Sequence, residues 1–481
     1  MKILFVYSVR NSVLPNQPLL DLESVHLGLS CVAEAARCGG HATRVAVLCS
    51  RDSLLRAGAV IEREVTEFEP EVIAFTAVST EYPFLRSLAG ELKARWPAKF
   101  LIVGGVHATL NPEAVMQDAF DALCVGEGEQ PLLELLEQLS LGRHPSGIAN
   151  LWIRRAGGTI ERNATREFCP DLDTIPIADR QMWLPWTREK NGANQMVLLA
   201  RGCPYHCTYC CSNALGKIAK GKYVRFRSPA NILDEIRRLR SAFPALRHVY
   251  LQAETIAVDP PWLEELSRQM QAFNQSLEAP IEFTCNFRVA RRFLTDPIFA
   301  ALQRANVRTV EIGLESGSER LRREVLRRPY SNADFYQAVA LARLHGMRVN
   351  IYNMIGMPGE TLEEHWETVE ANRRVCPDRS NTCIFYPFPG THLYEVCRKE
   401  GYINGELDLS VDRDTAVLDY PKFRRKDVQK CFEWFDFRIY KGNKPLHVRL
   451  RKVARKKVYG HPWIDRWFMR LLPWWLKLTR R

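Results

Sequence analysis

Apolar residues fall in short blocks along the first 145 residues: Lys2 to Val9, Ala42 to Leu48, Glu71 to Ala77, Phe100 to Gly104 and Ala122 to Val125. Continuous blocks of this length, rich in β-branched residues, predict parallel strands buried on both faces, and the helix-length stretches between them predict crossover helices. Residues 1–145 therefore read as a doubly wound α/β domain of flavodoxin-like (Rossmann-type) topology. A second series follows: Met196 to Ala200, His248 to Gln252, Ile281 to Cys285, Thr309 to Gly313, Arg348 to Met354 and Thr382 to Tyr386, separated by helical patterns such as Pro229 to Ala242 and Asn332 to His345. Six βα units predict a partial, TIM-like (β/α)6 barrel over 191–395, with functional residues at the carboxyl ends of its strands. Between the two series, 146–190 reads as a small hairpin at Gly157 and Gly158 followed by a linker. In the extension over 396–481, Trp463, Ile464, Trp467, Phe468, Leu471 and Leu472 share one helical face, opposite Asp465, Arg466 and Arg470.

The chain of 481 residues exceeds what one hydrophobic core organises, in keeping with two or three domains. No apolar run approaches the roughly 18 residues of a spanning helix. The first block ends at Arg10 with no cleavage motif after it, so it reads as a strand rather than a signal peptide. Fourteen cysteines without a secretory signal point to a reducing, cytoplasmic setting, where metal binding is favoured over a disulfide framework. The net charge of +12 is concentrated at one end, since 438–481 carries 14 Lys and Arg against the single Asp465. A basic, aromatic, amphipathic segment suits peripheral contact with the inner face of a membrane, or a terminal helix capping the barrel with a solvated basic face. A nucleic-acid partner is the weaker reading.

The candidate chemistry centres on R-G-C-P-Y-H-C-T-Y-C-C, which follows the first barrel block and sets Cys203, Cys207 and Cys210 on one short loop. A structural zinc site takes four ligands, and a fourth is hard to find here: Cys211 adjoins Cys210 and His206 lies inside the loop. A [4Fe-4S] cube held by three thiolates keeps one iron open to a small molecule. Other candidate groups stand at predicted strand ends. In the first domain these are Ser79 and Thr80, then Gly104, Gly105 and His107, then Gly126 and Glu127. In the barrel they are Glu254, Arg288, Glu315 and Gly356. The remaining cysteines, among them Cys285, Cys376, Cys383, Cys397 and Cys431, have no metal spacing and read as apolar thiols.

The three-cysteine loop with these strand-end residues resembles the radical S-adenosylmethionine (SAM) superfamily, and H-L-G-L, G-G-V-H and G-E-G-E resemble the cobalamin-binding domain that precedes many such barrels. The resemblance implies a [4Fe-4S] cluster on Cys203, Cys207 and Cys210, SAM on its open iron, and cobalamin in the first domain. Tyr209 would contact adenine, Glu254 would accept from the SAM ammonium, and Gly356 would let backbone pass under adenine. The loop after the first strand, S-V-R-N-S-V-L-P, lacks the D-x-H-x-x-G histidine of methionine-synthase-type domains. No histidine is therefore expected on the lower face of cobalt, and His107 is expected to line the corrin pocket. The activity implied is C-methyl transfer from methylcobalamin to a carbon radical made by 5′-deoxyadenosyl, on a small-molecule or lipid-like substrate, with electrons from a donor such as flavodoxin or ferredoxin. A non-methylating cyclase or rearrangement enzyme would share these motifs, and a cobalamin sensor or carrier with an inert barrel is the reading from another class. A methylthiotransferase fits less well, because Cys31 and Cys38 fall in a predicted helix.

Overall fold

The structure, a computed structural model, describes residues 1–14, 16–403 and 405–459. The first unit runs β1 (Lys2–Val9), α1 (Leu27–Cys38), β2 (Ala42–Cys49), α2 (Leu54–Phe68), β3 (Val72–Thr76), α3 (Tyr82–Arg95), β4 (Phe100–Gly104), α4 (Val106–Leu110), α5 (Pro112–Val115), β5 (Ala122–Cys124) and α6 (Glu129–Ser140). Strands β1 to β5 are parallel in the order β2-β1-β3-β4-β5. This is the doubly wound sheet expected from the apolar blocks. The hairpin about Gly157 and Gly158, β6 (Leu151–Arg154) and β7 (Ile160–Arg162), continues that sheet by antiparallel pairing of β6 with β5.

The linker is pinned down. Trp183 is fully buried and its Nε1 donates to Ser30 Oγ at 3.0 Å, and Trp186 Nε1 donates to Val45 O at 2.8 Å. Burial of two indoles with both N–H groups satisfied contributes several kcal/mol, by the rough scale for large apolar side chains.

The second unit runs β8 (Asn194–Leu198), β9 (Ala200–Arg201), α7 (Ser212–Leu215), β10 (Arg225–Phe226), α8 (Pro229–Ala242), β11 (His248–Gln252), α9 (Pro260–Gln275), β12 (Glu282–Phe287), α10 (Asp296–Arg304), β13 (Val307–Glu315), α11 (Asn332–Leu344), β14 (Arg348–Ile355), α12 (Leu362–Val375), β15 (Arg379–Ile384) and α13 (His392–Lys399). Six of these strands form one parallel sheet in sequential order, β8-β11-β12-β13-β14-β15, which is the partial (β/α)6 barrel. Its last strand starts three residues before the apolar block at Thr382, because an edge strand tolerates the polar Arg379, Ser380 and Asn381. Beyond it, α14 (Arg425–Ile439) packs Val428, Phe432 and Phe435 onto Ile355, Val369 and Ile384. Helix α15 (Leu446–Tyr459) lies on α14, where its Lys456 Nζ reaches the buried Asp436 at 3.1 Å. The aromatic segment from Trp463 to Leu472 lies outside the described residues. Among the described residues no helix is long and apolar enough to cross a membrane.

Candidate functional site

Strand β8 delivers the chain to the cysteine loop, and β9 ties its start to β10. Burial pushes the Cys203 thiol up to about 11, and the hydrogen bond to Cys211 together with burial pushes Cys210 up. These two positions favour the thiol, so a bound cation must draw their protons off. The surroundings suit such a charge change. Arg288, at the end of β12 and buried, directs Nη1 to Cys207 Sγ at 2.8 Å while its guanidinium covers the Tyr205 ring at 3.8 Å. Among the described residues no three His, Cys, Asp or Glu side chains gather around a single ion. A cube takes one thiolate per iron, so its ligands need not converge on one point. Three thiols on one loop beside a buried guanidinium fit a cluster, and among the described residues no four-ligand zinc set is found.

Tyr209, one residue before Cys210, donates its hydroxyl to Glu315 Oε1 at 2.8 Å, and Arg328 Nη1 reaches the Tyr209 hydroxyl at 3.0 Å and Glu315 Oε1 at 3.3 Å. Glu315 adopts φ +65°, a left-handed conformation that its hydrogen bonds hold in place. Glu254 differs. Among the described residues no group hydrogen-bonds or pairs with its carboxylate, which opens onto the cavity between the two units, and the surrounding protein raises its pKa by desolvation. The side chain is exposed by surface yet enclosed by walls, because its solvent is the cavity itself.

That cavity, of about 440 Å³, is walled on one side by His26, Gly104, Gly105, Gly126 and Glu127 and on the other by Arg201, Cys210, Cys211 and Glu254. Gly105 has φ +95°, and a Cβ there would meet Ala77 N and O at 2.8 Å, so the turn admits glycine alone and brings bare backbone to the cavity wall. A glycine-lined wall at strand carboxyl ends fits a large planar ligand. His26 caps α1 with Nδ1 accepting from Leu29 N at 2.9 Å, which assigns the proton of the neutral ring to Nε2 and leaves no lone pair free. Glu127 lines the cavity but is already engaged: Arg225 lies at 2.9 Å and Arg201 at 3.0 Å, and the Cys169 N–H donates at 2.8 Å. Burial would push its carboxyl up, and the two guanidiniums outweigh it, so it titrates below the usual range. Glu127 is an interdomain clamp, a role that sequence proximity to Gly126 did not reveal.

A second cavity, of about 290 Å³, lies across the loop and is lined by Ser79, Thr80, Tyr209, Cys210, Cys211 and Met354 together with Phe385, Tyr386, Phe388 and Arg413. Two expectations are corrected here. His107 lines neither cavity: its ring lies 4.2 Å from that of Tyr82, Nδ1 is 3.0 Å from Ser79 Oγ, and burial pushes it down to about 4. In the single turn of α4, Val106, Thr109 and Leu110 line the cavities, while residue 107, about 100° round the turn from Val106, packs against Tyr82. Gly356 also lines neither cavity. A Cβ there would stand 2.6 Å from Val428 Cγ1, so its space is taken by α14, while Glu360 accepts from its N–H at 2.6 Å.

Comparison with known proteins bears on both units. The family model of the Radical SAM superfamily matches residues 197–371, and that of the B12 binding domain matches residues 20–136. An uncharacterized methyltransferase of Pyrococcus horikoshii is 26% identical over 339 residues, covering 70% of this chain and 71% of the relative. The anaerobic magnesium-protoporphyrin IX monomethyl ester cyclase of Cereibacter sphaeroides is 23% identical, covering 76% of this chain and 56% of the relative. Among solved structures, the radical S-adenosylmethionine methyltransferase TsrM of Kitasatospora setae, with cobalamin and a [4Fe-4S] cluster bound, aligns with TM-score 0.65 at 17% identity over 84% of this chain and 75% of its own. The cobalamin-dependent S-adenosylmethionine radical enzyme OxsB aligns with TM-score 0.68 at 14% identity over 95% and 71%.

Proposed function

We propose that this chain, whose residues 197–371 match the Radical SAM superfamily model and whose residues 20–136 match the B12 binding domain model, is a cobalamin-dependent C-methyltransferase. Its cofactors are a [4Fe-4S] cluster, SAM and cobalamin. When bound, the cluster and SAM supply a 5′-deoxyadenosyl radical and cobalamin supplies a methyl group. The protein's own work is to hold, orient and exclude water. Cys203, Cys207 and Cys210 would hold the cluster, with Arg288 balancing thiolate charge at Cys207. Glu254, with its carboxylate unpaired, would accept hydrogen bonds from the SAM ammonium. The backbone at Gly104, Gly105 and Gly126 would face the corrin.

The observation that carries the reading is the position of Cys210 and Cys211, which face the glycine-walled cavity on one side and the cavity over the β14 and β15 ends on the other. Both cofactors and a substrate carbon could therefore meet at one loop. The test is mass spectrometry of products formed from candidate extracts with methyl-deuterated SAM, cobalamin and reductant. Label in a carbon-bound methyl group is expected. Formation of 5′-deoxyadenosine with no label transferred to any product would instead favour the cyclase-type reading, which the Cereibacter relative represents.

An electron must reach the cluster from outside. Beside the loop, an open groove is lined by Tyr205, His206, Lys217, Arg323 and Arg327, and none of the described residues lining it is a carboxylate, although Glu324 pairs with Arg323 at 3.0 Å. Such a face suits an acidic carrier such as flavodoxin or ferredoxin. Peripheral membrane contact through the basic extension is kept as part of the reading: α15 exposes Leu446 and Leu450 on the face that also presents His447 and Ala454.

A further inference from the structure

The second cavity contains a cation that neither family match covers. Arg413 belongs to a strap over 408–416 that joins the two units. Asp412 pairs with Arg10 and Arg51 of the first unit, while the carbonyl of the next residue accepts from Ile384 N at 2.6 Å and Asp408 O accepts from the Tyr386 hydroxyl at 2.9 Å. Arg413 stands inside a tight turn that Thr415 N closes on Asp412 O at 3.1 Å. Asp412 is spent on the first unit, and the turn delivers Arg413 over the barrel mouth.

There Arg413 is the one charged side chain among the described residues lining the cavity, whose walls include Val78, Leu110, Phe385 and Phe388. Its side-chain hydrogen bonds go to sulfur: Cys383 Sγ at 2.7 Å and Met354 Sδ at 3.8 Å. Thiol and thioether are weak acceptors for a group with five donors in a fixed fork. The carboxylates on either side of it in the chain have other partners, Asp412 two arginines and Asp414 the Thr415 hydroxyl at 3.1 Å. A solvent-exposed guanidinium at the mouth of an apolar chamber, with no side-chain hydrogen bond to oxygen among the described residues, is placed to receive a planar or tetrahedral anion bidentately.

Resting on the methyl-transfer reading, we propose that this cavity binds the substrate, and that the substrate is an amphiphilic anion, an apolar ring or chain body carrying a carboxylate or phosphate that Arg413 grips. The body would lie on Phe385, Phe388 and Leu110, beside Cys210 and Met354. Ser79 and Thr80 would offer hydroxyls from the first unit.

The probe for the test is 8-anilinonaphthalene-1-sulfonate, two apolar ring systems with one anion, compared with uncharged N-phenyl-1-naphthylamine. Both are titrated by calorimetry into the reconstituted holoenzyme saturated with SAM. One saturable site for the sulfonate is expected. Arg413→Gln should weaken it by about tenfold or more, as loss of a charge-assisted pair does, while Arg413→Lys should retain most of the affinity and the uncharged probe should ignore both changes. Val78→Trp, which fills the chamber from the opposite wall, should abolish the site without touching the strap. Unchanged sulfonate affinity in Arg413→Gln, or no saturable sulfonate site in the SAM-saturated holoenzyme, overturns the proposal. An Arg413-dependent site in an enzyme that transfers no labelled methyl group would sink the methyl-transfer reading and leave this anion site standing.

Discussion

Replacing Glu127 by Gln tests whether the two units are held together by charge at the mouth of the cofactor cavity. The carboxylate makes charge-assisted contacts to Arg225 at 2.9 and 3.1 Å and to Arg201 at 3.0 Å, with side chains only 3% exposed for Arg225, 16% for Arg201 and 19% for Glu127. The amide keeps the shape and can still accept from Cys169 N, but it offers neither guanidinium a negative charge. Arg225 retains the Cys169 carbonyl at 2.7 Å and Arg201 retains Glu129. The loss should be about 3 kcal/mol, near the lower end of the range for stranding a buried charge, because both arginines keep a second partner. With a urea dependence of about 1–3 kcal/mol per M, the unfolding midpoint at pH 7, followed by tryptophan fluorescence, should fall by roughly 1 M. The pH dependence has a definite sign. The folded-state pKa of Glu127 is depressed, so the stability that it contributes is full above the ordinary carboxylate pKa and fades as pH falls through the lower folded value. The gap between wild type and variant should therefore hold at neutral pH and close only in acid. A midpoint within about 0.2 M of wild type at pH 7 would refute the clamp.

Anaerobic reconstitution should load about four irons, and the triple change of Cys203, Cys207 and Cys210 to Ala should abolish the iron–sulfur absorbance while Cys211→Ala keeps it. Electron paramagnetic resonance of bound cob(II)alamin should lack nitrogen superhyperfine splitting and stay unchanged in His26→Gln and His107→Gln, since one ring caps α1 and the other is packed against Tyr82. Splitting that vanishes in either variant would contradict that account. Lys217→Glu with Arg327→Glu should slow cluster reduction by reduced flavodoxin tenfold or more and leave reduction by dithionite unaltered; equal slowing by both reductants would remove the docking face. Co-sedimentation with anionic vesicles should be strong at low salt, weaker at high salt and lost on truncation before Arg438, each cation near the surface adding about 1 kcal/mol. Indifference of the full chain to vesicles would leave the extension as a cap on the barrel.

What could be read from the chain follows from what is local. Runs of Val, Ile and Leu mark buried parallel strands whatever their partners, so both sheets were legible from periodicity, and the three-cysteine loop stood out because Cys203, Cys207 and Cys210 lie within eight positions. Edge strand β15 was misplaced at its start because an edge relaxes the apolar pattern. His107 and Gly356 were judged by their neighbours in sequence. Side-chain direction in α4 changes by about 100° per residue, which turned His107 away from the cavity that Val106 and Thr109 face. Gly356 was assigned to a ligand, yet its open space is filled by Val428, 72 positions further on, from a helix that matched no motif.

The residues missed are those whose partners are remote. Glu127 meets Arg201 and Arg225 across separations of 74 and 98 positions, and Arg413 meets Cys383 from a stretch with no regular pattern. Charge arithmetic offered a weak signal for the first, since the acidic pair Glu127 and Glu129 in a glycine turn and the lone Arg201 before the cysteine loop are complementary. None existed for the second, because an irregular strap has no periodicity to announce which way it points. The consequence for function is asymmetric. Motif residues specify which cofactors the chain holds, and those residues sit on strands and tight loops. Selection among substrates falls to the strap and the aromatic loop at Phe385 to Phe388, where side chains from the first unit, the barrel and the extension close on one chamber. Relatives that share the motifs while differing in that chamber would share a radical and differ in the carbon that receives it.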